Sequence, residues 1–200
     1  RNLRETVALG VQHISAYHLT VEPQTAFGRR MAQGRFSPVT EETSEEEFLT
    51  VHDTLTAAGF EHYEVSNYAL PGFRARHNAS YWHGTKYLGI GPAAHSFDGE
   101  ERHWNASSVE KYIAGAPAGK EVLTRRDRFN EYVMTALRTV EGIDLEEAAA
   151  RFGAKRLARM QEEAAPFLRS GTLRIARGRM ALPPEKFLIS DAVIGALFET

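Results

Sequence analysis

Cysteine is absent from all 200 residues, and with it go disulfides, thiolate nucleophiles, zinc–thiolate sites and any cysteine-ligated iron–sulfur cluster held by this chain. A dominant charge is missing too. Lys and Arg number 24 against 26 Asp and Glu, a net charge of -2, which excludes a wholesale polyanion binder but leaves room for local patches. No apolar run approaches the roughly 20 residues that span a bilayer. Residues 1–5 lack the apolar stretch of a secretory signal, so the expectation is a cytoplasmic protein without a membrane span. The 8 histidines include no His-x-x-x-His or His-Glu-x-x-His spacing, which argues against a helical zinc site. An initiating Met is also absent, and Arg1 leads straight into helix-like sequence, as expected of a piece of a longer chain.

With 42% hydrophobic residues, the chain can bury one large core or two smaller ones. Residues 3–9 read as a helix ending at Gly10, and residues 13–21 as a β-branched and aromatic strand stopped by Glu22-Pro23. An acidic start over residues 41–47, with Thr43 and Glu46 at capping-box spacing, leads a helix carrying Phe48, Val51, Leu55 and Ala58. A second strand follows over residues 60–66. Strand, helix, strand in that order predicts a parallel sheet. Residues 67–86 read as a long irregular segment, ordered because it holds Tyr68, Phe73, Tyr81 and Trp82, and residues 87–90 as a short third strand.

The small residues 114–119 look like a linker, which puts a domain boundary near residue 120 and divides the chain into 1–120 and 121–200. The second part is mainly helical. Phe129, Tyr132, Val133, Ala136, Leu137 and Val140 form a stripe headed by Thr124 and Asp127 at capping-box spacing, and Asp144 with Glu147 caps a second helix that stops at Gly153. A third helix runs to Gly171. Leu173 and Ile175 then face Met180 and Leu182 across Arg177-Gly178 as a hairpin, and a last helix covers residues 185–198. Three helices and a hairpin predict a winged helix.

Several motifs carry chemistry, each beside a plainer reading. Gly89-Ile90-Gly91-Pro92-Ala93-Ala94-His95-Ser96 allows close backbone approach to a bound group, or simply a tight turn. His77-Asn78-Ala79-Ser80-Tyr81-Trp82 joins an imidazole able to ligate a metal or haem iron to aromatic faces that suit a flat macrocycle; alternatively it is a loop folded back on itself. Glu64, Ser66 and Asn67 end a strand, where they either face a ligand or cap the rim. Residues 151–179 hold 8 Lys and Arg against Glu162 and Glu163. On a winged helix that excess invites nucleic acid, yet a solvated face or protein contact is preferred because Phe152 and Phe167 sit on the apolar stripe.

Taken together and in order, residues 14–23, 63–69, 77–82 and 87–96 resemble the HemW and oxygen-independent coproporphyrinogen III oxidase (HemN) family of radical S-adenosylmethionine proteins. The resemblance implies an α/β fold, the C-terminal part of a partial TIM-type barrel over 1–120, followed by a mainly α, winged-helix-like domain over 121–200. A complete barrel takes about 250 residues, so further strands are expected upstream. It implies S-adenosylmethionine and a [4Fe-4S] cluster in the intact parent, a radical oxidoreductase. None of the cluster cysteines lies in this chain, which by itself should be inactive. By similarity, Thr20, Gly89, Gly91 and His95 line the S-adenosylmethionine cavity, while His77, Asn78, Tyr81 and Trp82 contact haem, His77 being the candidate iron ligand. The His-Asn-x-x-Tyr-Trp string typifies the HemW branch, a haem chaperone serving a haem-acceptor protein. The alternatives are oxidative decarboxylation of porphyrinogen propionates and, last, a winged-helix binding module.

Overall fold

Every strand pair in the structure is antiparallel, which corrects the parallel sheet expected from strand, helix, strand order. The computed structural model describes residues 1–200. It forms two compact units: Arg1–Ala75 with Pro184–Leu188, and Arg76–Pro183 with Ile189–Thr200.

The first unit contains α1 (Asn2–Ala8), β1 (His13–Ser15), α2 (Ala26–Ala32), α3 (Glu41–Ala57), β2 (Glu61–Glu64) and β3 (Asn67–Ala69). The chain reverses after Glu64, and β3 inserts between β1 and β2, pairing Tyr68 with Ile14 on one side and with His62 on the other. The two strands expected to be neighbours therefore run the same way without touching. A register shift between His62 and Glu64 brings Glu64 opposite Asn67. Because β3 is three residues long, β1 ends at Ser15 rather than Val21, and Tyr17 and Leu19 are left 76% and 64% exposed. The long helix α3 is capped by Thr40, whose hydroxyl accepts from the Thr43 N–H at 3.2 Å. It thus starts earlier than a Thr43 cap would place it, with Glu41 and Glu42 in its first turn, where the helix dipole favours negative charge. Leu55, Phe60 and Tyr68 form the core, with Leu3, Val7 and Ile14 packed against it. Burial of each such side chain contributes about 1.5–3 kcal/mol.

The second unit opens with α4 (Arg76–Trp82), so the segment read as irregular holds both β3 and a helix. The strand expected over 87–90 is a single bridge from Tyr87 to Phe97. A three-stranded sheet absent from the sequence reading follows, β4 (His95–Phe97), β5 (Glu101–Trp104) and β6 (Gly119–Val122) in that order, with α5 (Val109–Ile113) between β5 and β6. Residues 114–119 lead from α5 into β6.

The helical part follows expectation closely. Thr124 and Asp127 make both bonds of a capping box at the head of α6 (Arg125–Ala136), and Asp144 accepts from the Glu147 N–H at the head of α7 (Leu145–Phe152). After α8 (Ala154–Arg169), the strands β8 (Arg174–Ala176) and β9 (Arg179–Ala181) form the hairpin. Its turn residues Arg177 and Gly178 both have positive φ, 51° and 75°, as a two-residue type I′ turn demands. The short strand β7 (Ile143–Asp144) pairs onto β9. The helix expected over 185–198 divides into a 3₁₀ helix, Pro184–Ile189, and α9 (Ser190–Leu197), because Ile189 leaves the helical region at φ -98°, ψ 10°. Val133, Leu137, Ile143, Leu173 and Met180 are all at most 1% exposed. No helix is long and apolar enough to cross a membrane.

Candidate functional site

Helix geometry turns the string of residues 77–82 into two paired faces. Residues four apart lie one above the other on α4, so His77 meets Tyr81 and Asn78 shares a neighbouring face with Trp82. The His77 ring is solvent-exposed and stands edge-on to Tyr81 at 5.1 Å between centroids, with its Nε2 3.2 Å from the Tyr81 hydroxyl. An aromatic chain continues from Tyr81 to Tyr87 at 5.1 Å and from Tyr87 to Phe97 at 6.1 Å. Both steps are tilted or edge-to-face, the favoured arrangements.

Tyr81, Trp82 and Tyr87 form one wall of a cleft of about 450 Å³ that lies wholly in the second unit. Arg128, Glu131 and Tyr132 line it from one face of α6, and Arg102, Arg151, Arg179, Glu141 and Glu147 complete its charged lining. Arg102 is held by Glu131 at 2.7 Å. Arg151 is held by Glu147 at 2.8 Å and stacks over the Tyr132 ring at 5.0 Å. Arg179 bonds Asp144 at 3.0 Å. The Tyr132 hydroxyl donates to the Asp144 carbonyl and accepts from the Asp144 N–H, each at 3.2 Å. Burial, with Glu147 nearby, pushes this phenol up to about 12. Sequence reasoning missed most of the cleft. Its one local signal was the i, i+3, i+4 spacing of Arg128, Glu131 and Tyr132 on α6.

The other sequence-predicted residues lie as follows. Gly89 is packed against its own chain: a Cβ there would stand 2.1 Å from the His95 carbonyl oxygen. Its N–H donates to Ser96 Oγ at 3.0 Å, and Asn105 Nδ2 donates to the carbonyls of Gly89 and Gly91 at 3.3 and 2.9 Å. Gly91 also donates to the Tyr112 hydroxyl at 3.2 Å. The segment is therefore a turn fixed from inside the second unit. His95 is exposed, with its ring 6.0 Å from that of Trp104. Thr20 belongs to the first unit, on an exposed stretch without regular structure. Glu64, Ser66 and Asn67 hold the end of their sheet: Glu64 accepts from the Ser66 N–H at 3.2 Å, and Asn67 accepts from the Ser15 hydroxyl. The basic excess of residues 151–179 is partly offset from outside that stretch, since Arg151, Arg156 and Arg179 pair with Glu147, Glu199 and Asp144.

The HemN C-terminal domain family matches residues 123–189. Across its length the chain is similar to the heme chaperone HemW of Mycobacterium tuberculosis, 36% identical over 203 residues that cover 98% of this chain and 50% of that protein. It is also 31% identical to the heme chaperone HemW of Lactococcus lactis over 155 residues, 76% of this chain and 41% of the relative. The fold superposes on coproporphyrinogen III oxidase (HemN) from Escherichia coli, a radical SAM enzyme, with a TM-score of 0.73, covering 98% of this chain and 50% of that one; at 16% identity this speaks for the fold alone. The chain belongs to the HemN/HemW family and spans about half the length of the curated relatives it matches.

Proposed function

We propose that this chain is the haem-contacting part of a haem chaperone of the HemW kind, with His77 as iron ligand and Asn78, Tyr81 and Trp82 against the macrocycle. The observation that carries this reading is α4, on which an exposed imidazole stands one turn from a tyrosine that lines an aromatic cleft. An imidazole nitrogen is a good haem ligand, and flat aromatic faces favour a flat ring. The relatives at 31 and 36% identity are named heme chaperones, which supports this reading over porphyrinogen decarboxylation.

In the whole protein the reading includes S-adenosylmethionine and a [4Fe-4S] cluster. When bound, these would supply radical chemistry. Cysteine ligands for the cluster would come from elsewhere, since this chain has none. Toward S-adenosylmethionine the reading assigns Thr20, Gly89, Gly91 and His95, and the open space beside Gly91, where a Cβ would meet nothing within 4 Å, leaves room for a bound group. It also divides the chain near residue 120 into a barrel-derived part and a winged-helix-like part. Supporting that division are the family match beginning at residue 123 and the helix, strand, helix, helix, hairpin order that follows. A cytoplasmic location and a haem-acceptor protein as partner complete the proposal.

Titration with haemin tests it. A Soret band that shifts and saturates at one haem per chain is expected, and absorbance that rises only as for free haemin would refute the reading.

A further inference from the structure

Arginines line the cleft, and they differ in how firmly each is held. Arg102 is locked to Glu131 at 2.7 Å, with both side chains less than a third exposed, and has Glu121 at 3.7 Å as a second partner. Arg151 has a carboxylate at 2.8 Å and a ring beneath it, and Arg179 has a carboxylate at 3.0 Å. Arg128 differs. Its Nη1 is 3.9 Å from Glu100, beyond hydrogen-bond distance, and the Glu100 side chain is 80% exposed. Such a pair is of the weakest, most screened class, and water competes for both members. Arg128 is itself 38% exposed and faces the cleft. A guanidinium in that position gains two short, charge-assisted bonds from an incoming carboxylate and gives up almost nothing.

Tyr81, Trp82 and Tyr87 add aromatic rings to the lining. A cleft of about 450 Å³ with aromatic rings in its lining and one loosely held cation suits a flat ring that bears an acid at its edge. A bare phosphate would leave the aromatic rings unused. We propose that this cleft receives the carboxylate-bearing edge of a tetrapyrrole, with Arg128 exchanging Glu100 for a ligand carboxylate while Tyr81, Trp82 and Tyr87 cover the ring. The inference rests on the haem reading above and deepens it by naming the residue that recognises the ligand's charge.

Haemin and haemin dimethyl ester are the probes, because they share ring and iron and differ only in whether the carboxylates are free. The wild-type protein is expected to bind the free acid roughly tenfold more tightly than the diester. Arg128→Gln should erase that preference by weakening the free acid while leaving the diester unchanged. Glu100→Gln, which removes the competing carboxylate, should keep it. Arg128 has no short contact to lose, so the melting temperature of Arg128→Gln should equal that of the wild type. The inference is overturned if Arg128→Gln binds the free acid like the wild type, if it loses both probes alike, or if Glu100→Gln loses the preference. Equal binding of both probes by the wild type would leave the haem reading standing and remove only the carboxylate assignment. Binding of neither would end both.

Discussion

His77 and Tyr81 are joined on α4 by a hydrogen bond between the imidazole Nε2 and the phenol oxygen, 3.2 Å apart. The bond engages a nitrogen that iron ligation through Nε2 would need, so taking up haem there costs about 1 kcal/mol, the net worth of one such bond. Tyr81→Phe keeps the ring and removes the bond. It is expected to bind haemin about fivefold more tightly, the equivalent of that energy. Weaker binding by Tyr81→Phe would mean that the hydroxyl contacts the ligand instead.

Tyr132 uses one hydroxyl for two bonds to the backbone of Asp144, the residue that caps α7. Tyr132→Phe leaves both backbone groups without this partner and is expected to destabilise the second unit by about 1–3 kcal/mol. A denaturant titration reads this directly. A midpoint unchanged from the wild type would show that the two contacts carry no net energy.

In the first unit, the His52 and His62 Nδ1 atoms are 2.9 Å apart, and the His62 ring is stacked on Tyr68. Burial, and then the neighbouring His52, lower the His62 imidazole from 6.5 to about 4. Between those values the unfolded chain binds a proton that the folded chain refuses. Stability is therefore full above the unfolded value and falls as pH drops toward 4, by up to roughly 3 kcal/mol. Urea midpoints at pH 7 and pH 5 should differ in that direction, and His62→Phe should flatten the dependence. A wild-type midpoint that rises on acidification contradicts it.

What was legible in the sequence was local. Thr124 with Asp127, Asp144 with Glu147, and Arg177-Gly178 each fix a bond or a φ within a few residues, and each holds in the structure. The sheets were not legible. Three-residue strands such as β3 and β4 are too short to show alternation, and their pairings join residues far apart, as Ile14 joins Tyr68. The helix α4 carries no apolar stripe, so its residues read as part of an irregular segment. Of the cleft, sequence reasoning reached Tyr81 and Trp82, while lining residues from Tyr81 to Arg179 meet only through tertiary packing.

Gly89 separates a packing role from a ligand role. A methyl group there would meet the His95 backbone at 2.1 Å, too close without a backbone shift. Gly89→Ala is expected to destabilise the second unit by about 2–3 kcal/mol in the absence of any ligand. Unchanged stability would mean that this turn tolerates a side chain and that Gly89 is small for another reason.

The ligand assignment is tested most directly by the haemin spectrum of His77→Ala. His77 is exposed, and its side chain bonds only the neighbouring Tyr81, so the substitution should leave the melting temperature unchanged. The account predicts that His77→Ala loses the shifted Soret band of the wild-type complex and that added imidazole restores it. A His77→Ala complex with the wild-type band and the wild-type affinity would contradict it.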